Sequence, residues 1–166
     1  MVASGDRARA QDLEAIDRAA RALFEAMSPA ERVGQLLLVP FAGPDAGDQA
    51  AIARLVVEQH VGGVILDAAS GNFRSGLEAP MQIAGLANAL QTRYAQSHGN
   101  YVPLFVALSP GVDGSPGLPT DLGGAPVPSL MSIGATWDPQ LAGRSGDVIG
   151  RRLASLGVNL LLGPDL

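Results

Sequence analysis

The chain has 166 residues, of which 47% are apolar and 16% are charged, and its formal net charge at pH 7 is −5. This size and composition fit one globular domain, and the acidic balance argues against a nucleic-acid partner, because phosphate binding needs clustered cations. The sequence contains no cysteine and no lysine, which excludes a disulfide framework, a thiolate metal site and a Walker-type phosphate loop.

The N-terminal region predicts a helix and no membrane segment. Apolar residues recur at three- and four-residue steps from 9 to 27, as in an amphipathic helix. Residues 1–24 are charged throughout and lack the apolar h-region of a signal peptide. No apolar run approaches the roughly 20 residues that span a bilayer. We therefore expect a cytoplasmic protein with no membrane partner.

Beyond this helix, four short apolar runs alternate with helical patterns. The runs predict strands near residues 36–41, 61–66, 103–108 and 158–163. Helices are predicted to start where a capping residue or a proline precedes an apolar periodic stretch, at Ser28-Pro29, Asp48 and Asp138-Pro139. Continuous apolar strands separated by helices indicate a parallel sheet that is covered on both faces.

The predicted fold class is therefore α/β, and two architectures stay open. A run of β/α units forms either a doubly wound sheet or part of a (β/α)8 barrel, and periodicity does not separate the two. The sequence ends at Leu166, directly after the fourth apolar run and without a covering helix. A complete domain seldom ends in this way, so we expect an incomplete domain.

Few residues have the chemistry of a site. Neither His60 nor His98 has an acidic partner at metal-ligand spacing, so no metal is predicted. Trp137 begins a helical pattern, and core packing is favoured over stacking on a sugar ring.

Asp113 follows the third predicted strand: it is either a turn residue, as Asp-Gly pairs often are, or a carboxylate that accepts hydrogen bonds from vicinal hydroxyls. A glycosidase needs two carboxyl groups about 5 to 9 Å apart, and only one can be assigned, so no catalytic residue is predicted.

Five segments, in this order, resemble glycoside hydrolase family 3, and most closely its β-N-acetylhexosaminidase-like branch. Each segment is weak alone, but the ordered set is specific and covers most of the chain from residue 27 onward. The segments are MSPAERVGQLLLV (27–39), HVGGVIL (60–66), PLFVA (103–107), PSLMSIGATW (128–137) and LGVNL (156–160).

The resemblance implies the first half of a (β/α)8 TIM-type barrel, with a helix at 1–27 and a barrel domain at 28–166 that is truncated at its C-terminus. It implies hydrolysis of terminal β-linked sugars with retention, and neither a metal nor an organic cofactor. In the family, the aspartate nucleophile lies on a late strand, and a lysine–histidine sugar clamp and a histidine acid/base lie downstream. None of these has a counterpart here, so we expect the 166 residues alone to be inactive.

One departure from the family pattern affects the predicted sugar site. Family members usually have Asp-x-Glu-Gly after the third strand, whereas this chain has SPGV at 109–112. Serine keeps a hydroxyl but loses a charge-assisted hydrogen bond of about 1.5 to 3 kcal/mol. Asp113 with the glycine after it matches an Asp-Gly pair of some members. The resemblance therefore implies Asp113 and Ser109 as substrate-binding residues of a weakened sugar site.

The predicted function is that of an N-terminal part of a family 3 glycoside hydrolase acting on terminal β-linked sugars, with β-N-acetylhexosaminides as the favoured class. The alternative from another class is a non-catalytic carbohydrate-binding or regulatory protein derived from the same barrel, which the serine at position 109 favours. A small flavodoxin-like domain is a third, fold-only alternative. Since a half barrel has open edges, self-association through them is also predicted.

Overall fold

The computed structural model of the chain describes residues 3–97, 99, 102–109 and 128–162. Helices and strands alternate in it after two N-terminal helices. The helices are α1 (Ala3–Ala26), α2 (Pro29–Gly34), α3 (Ala51–Glu58), α4 (Ala79–Ser97), α5 (Leu130–Ala135) and α6 (Pro139–Ser155). The strands are β1 (Leu38–Pro40), β2 (Gly63–Leu66), β3 (Phe105–Leu108) and β4 (Leu160–Leu161).

The four strands form one parallel sheet in the order β1-β2-β3-β4. A doubly wound sheet reverses its strand order at a switch point, whereas a barrel adds each new strand beside the last one. The sequential order therefore decides between the two architectures that the sequence left open, in favour of the barrel type. Within the described residues the sheet does not close on itself. The α/β fold class and the four parallel strands are confirmed.

The core lies between the sheet and the helices on one of its faces. Alternate strand residues such as Val64, Leu66 and Val106 are fully buried there, in one cluster with side chains of α3, α4 and α6. On the opposite face Phe105 is 55% exposed and Ile65 is only partly buried, whereas Ala107 is buried. The expectation that both faces are covered is therefore wrong at Phe105.

Two of the three predicted helix starts are confirmed by their caps. The side chain of Ser28 accepts a hydrogen bond from the N–H of Glu31, whose carboxylate accepts one from the N–H of Ser28, which is a complete capping box. Asp138 caps α6 by accepting from the N–H of Gln140. The third helix, α3, is present as predicted, but the prediction that Asp48 caps it is wrong, because α3 begins three residues after Asp48 and has no side-chain cap.

The strands are shorter than the apolar runs, because other groups satisfy the backbone at their ends. At the start of the first run, Leu36 and Leu37 donate their N–H groups to Val33 and Gly34 and so extend the turn of α2. Before β3, the side-chain amide of Gln91 donates to the carbonyl of Leu104 and accepts from its N–H. The N–H groups of these residues are consequently bonded outside the sheet, although the carbonyl of Leu37 still accepts from the N–H groups of Gly62 and Gly63.

The N-terminal helix α1 has an exposed apolar side. Leu13, Ile16 and Phe24 are each more than half exposed, and the guanidinium of Arg32 lies 4.1 Å from the centroid of the Phe24 ring. Arg32 also donates to the carbonyl of Phe24, which joins the end of α1 to α2. None of the described helices combines the length and the hydrophobicity that crossing a membrane requires.

Candidate functional site

The carboxyl ends of the parallel strands meet at one edge of the sheet, which is where α/β proteins hold ligands. The residue after β2 is Asp67, and the residue after β3 is Ser109. The N–H of Ser109 donates to the carbonyl of Leu66 over 3.0 Å, so the pairing of β2 with β3 continues one step beyond both strands. Asp67 and Ser109 are therefore neighbours at this edge, and we call the pair the carboxyl-edge site.

A buried asparagine ties the loops at this edge together. Asn72 is fully buried, and its side-chain amide donates to the carbonyls of Phe41 (3.0 Å) and Gly43 (2.8 Å) in the loop after β1. Its side-chain oxygen accepts from the N–H of Asp67 over 2.8 Å. A buried amide with every polar group satisfied fixes the segments that it joins, so Asn72 sets the position of the loop after β1 relative to the end of β2.

Asp67 is held by its own loop as well. One carboxylate oxygen accepts from the N–H of Ala69 over 3.1 Å, and the other lies 3.5 Å from the hydroxyl of Ser70. The carbonyl of Ser70 in turn accepts from the N–H of Gly43, which adds a second link to the loop after β1. An ionised carboxylate has about four acceptor sites, so these contacts leave it able to accept from a ligand.

The two predicted site residues have different outcomes. Ser109 lies at the carboxyl end of β3, beside Asp67 and partly buried. Asp113 lies outside the described residues, so its role stays a prediction. Together the described groups of the carboxyl-edge site supply one carboxylate and one hydroxyl, which can hold sugar hydroxyls but do not form an acid/base pair.

Asn72 and Asp67 were missed as site residues. Both lie in the polar stretch that follows the second apolar run, which resembles an ordinary loop in sequence. One signal was present: Phe73, directly after Asn72, is an apolar residue inside that stretch, and it is buried at 3% exposure. Because Phe73 is buried, the adjacent part of the loop is buried with it, and this part includes Asn72.

Two other residues singled out in the sequence lie apart from this pair. His60 precedes β2 at the opposite edge of the sheet, has a positive φ of 55°, and its carbonyl accepts from the side chain of Gln35. Trp137 is 92% exposed, so the prediction that it packs in the core is wrong. Among the described residues, no group of three or more histidine or carboxylate side chains is placed to hold a metal ion.

Comparisons with known proteins agree with this geometry. Residues 29–166 match the family model of the glycosyl hydrolase family 3 N terminal domain. A glycoside hydrolase family 3 β-N-acetylglucosaminidase from Paenibacillus sp. str. FPU-7 is similar in structure, with a TM-score of 0.68 and 32% sequence identity over 84% of this chain. A β-N-acetylhexosaminidase from Beutenbergia cavernae has a TM-score of 0.61 and 27% identity over 83% of this chain. The search of curated proteins gave no match.

The alignments cover most of this chain but less than half of each similar structure. The chain spans 24% of the length of the Paenibacillus protein and 38% of that of the Beutenbergia protein. The open parallel sheet corresponds to part of the barrel-type N-terminal domain of the family. Because the family model matches most of the chain, from residue 29 to residue 166, the chain belongs to glycosyl hydrolase family 3.

Proposed function

We propose that this chain is the N-terminal part of a family 3 glycoside hydrolase that removes terminal β-linked sugars, with β-N-acetylhexosaminides as its substrate class. The family assignment supports hydrolysis of glycosides in general. The preference for an N-acetylated sugar is supported by the two similar structures, which are a β-N-acetylglucosaminidase and a β-N-acetylhexosaminidase. The single observation on which the proposal depends is the polar carboxyl-edge site on a sheet of this family.

In this proposal the chain contributes sugar-binding groups and not the reacting groups. Ser109 and Asp113 hold hydroxyls of the sugar, Ser109 from the end of β3 and Asp113 from four residues further along the sequence. The family reaction proceeds through a covalent glycosyl-aspartate and needs a second group for proton transfer. The sequence has no lysine for the family's sugar clamp, which supports a location of the catalytic residues outside these 166 residues.

The proposal predicts sugar binding without turnover. Purified chain incubated with p-nitrophenyl β-N-acetylglucosaminide and p-nitrophenyl β-glucoside should release no p-nitrophenol above a buffer blank, because no pair of reacting groups is present. Amide NMR spectra recorded during a titration with N-acetylglucosamine should show saturable shifts. Turnover that survives repurification would contradict the location of the catalytic residues, and absence of any shift in a folded sample would contradict the sugar site.

The serine at position 109 favours a second candidate function. A non-catalytic carbohydrate-binding or regulatory protein of the same barrel family needs no charged clamp on its ligand, and here the usual aspartate is replaced. The two candidates differ in the size of the native protein. An immunoblot of source cells with an antibody against this chain should detect a polypeptide much larger than 17.0 kDa if the hydrolase is correct. A single band near 17.0 kDa would favour the binding protein.

We also propose that the chain has two parts, a helical segment over 1–27 and a barrel part over 28–166. The family model begins at residue 29, which supports this division. The capping box at Ser28 and Glu31 lies at the junction, where the chain turns from α1 into α2.

A further inference from the structure

We propose that Asp67 is a sugar-binding carboxylate of the carboxyl-edge site, held in place by Asn72. The inference rests on the proposed function, since it assigns a further ligand contact to the same edge of the sheet. Its ligand class is a pair of vicinal hydroxyls on a pyranose ring. The carboxylate at the end of β2 provides the charged acceptor that Ser109 lacks at the end of β3.

The register of the strands places both side chains on the same face. Ile65 pairs with Ala107 and Leu66 with Leu108, and the next pair in this register is Asp67 with Ser109. Because side chains alternate along a strand, this pair falls on the side of Ile65, and not on the helix-covered side of Leu66. Adjacent strands lie about 4.8 Å apart, a separation that lets one sugar ring contact both residues.

Asn72 holds the backbone of Asp67 from two sides. The asparagine side chain accepts from the N–H of Asp67 over 2.8 Å, and the N–H of Asn72 donates to the carbonyl of Asp67 over 3.3 Å. The amide of Asn72 also donates hydrogen bonds to the carbonyls of Phe41 and Gly43 in the loop after β1. Asn72 is thus a positioning residue, and its complete burial protects these bonds from water.

The position of Asp67 distinguishes it from an ordinary turn carboxylate. Asp45, in the loop after β1, also accepts a backbone hydrogen bond two residues ahead, from Gly47 over 2.7 Å, but it is exposed and does not follow a strand directly. Asp67 makes the same local bond while it is partly buried at the end of a paired strand. Asp45 is therefore a matched control for a carboxylate of the same loop geometry without a ligand role.

The experiment is a titration of the 166-residue chain with N-acetylglucosamine, followed by amide NMR. Four proteins are compared: wild type, Asp67→Asn, Asp45→Asn, and a double variant with Asp67→Asn and Ser109→Asp. Loss of one charge-assisted hydrogen bond corresponds to an affinity decrease of about tenfold or more. We expect that decrease in Asp67→Asn, none in Asp45→Asn, and recovery in the double variant, which returns a carboxylate to the neighbouring strand. Dispersed spectra and unchanged melting temperatures would show that the variants fold.

The outcomes separate this inference from the proposed function. If wild type binds and Asp67→Asn binds equally well, the role of Asp67 is wrong while the sugar site stands. An equal loss in Asp45→Asn, or no recovery in the double variant, would also overturn the inference, because the effect would then not depend on a carboxylate at this edge. If folded wild type does not bind N-acetylglucosamine, the sugar site of the proposed function is wrong, and so is the role of Asp67 that depends on it.

Discussion

Asn72 is a single residue on which three backbone segments depend. Among the described residues its side chain is fully buried, and it bonds two backbone carbonyls and one backbone N–H. A buried polar group that loses its partner costs about 1 to 3 kcal/mol in unfolding free energy. Asn72 therefore contributes to stability mainly because its removal would leave buried backbone groups without a hydrogen-bond partner.

We predict that Asn72→Ala lowers the free energy of unfolding by on the order of 3 kcal/mol or more, because it leaves the carbonyls of Phe41 and Gly43 and the N–H of Asp67 without their partner. Chemical denaturation followed by circular dichroism measures this loss. The control is Asn88→Ala, which changes an exposed asparagine of α4 and should alter stability by less than about 0.5 kcal/mol. Similar effects of the two substitutions would contradict the role of Asn72.

The candidate site was predictable from the sequence only in part. The position of Ser109 followed from an apolar run that ends at Leu108, because parallel strands present ligands at their carboxyl ends. The role of Asn72 was not predictable, since a buried hydrogen-bonded asparagine and a solvated loop asparagine look alike in sequence. Asp67 lies next to Ser109 because β2 pairs with β3. Strand pairing joins residues that are distant in sequence, so hydrophobic periodicity does not predict it.

At the scale of elements, the type and order of the described helices and strands followed from sequence except for α5, which lies in a stretch predicted to be a loop, whereas the ends of the elements did not. Hydrophobic period and capping residues predicted α2 and α6 because those signals act within one turn of the chain. Asp48 has the right chemistry for a cap but instead lies 2.6 Å from the guanidinium of Arg93 on α4. The carboxylate of Asp48 thus has a partner that is distant in sequence, and α3 begins at Ala51 without a side-chain cap.

The contact between α2 and the segment that joins α3 to β2 gives a prediction at this scale. A Cβ added to Gly34 would overlap the backbone carbonyls of Gln59 and His60. Because backbone cannot move aside cheaply, Gly34→Ala should lower the free energy of unfolding by about 1 to 3 kcal/mol. Thermal melting of the purified variant measures the change.

The matched control for this contact is a second helical glycine. Gly85 in α4 is exposed, and apart from its chain neighbours and the backbone of its own helix no atom lies within 4 Å of its added Cβ, so Gly85→Ala should raise stability by about 0.5 to 1 kcal/mol through helix propensity. A stabilised Gly34→Ala variant would show that the close approach of α2 to the segment before β2 is not needed.

At the scale of the whole molecule, the open sheet leaves strand edges and apolar side chains that other chains can contact. Of the described strands, β1 and β4 each pair with one neighbour. The face away from the helices includes Phe105, which is 55% exposed, and Leu161 is 38% exposed on the edge strand β4. Unpaired strand edges and exposed apolar side chains both favour contact with other chains.

We predict that the isolated 166-residue chain associates with itself through this open part of the sheet. At about 25 cal/mol per Å², covering a few hundred Å² of apolar surface contributes several kcal/mol, a large share of typical domain stability. Size-exclusion chromatography with light scattering should therefore show dimers or larger species whose fraction rises with protein concentration. A monodisperse monomer with a sharp melting transition would contradict this prediction.

A pair of substitutions locates the associating surface. Phe105→Ser removes an apolar side chain from the helix-free face of the sheet, whereas Leu77→Ser removes a 96% exposed side chain from the loop before α4. If the sheet face is the contact surface, Phe105→Ser shifts the equilibrium toward monomer and Leu77→Ser leaves it unchanged. If both variants shift it equally, the association depends on exposed apolar area in general, since Leu77 lies off the sheet and has no part in its edges.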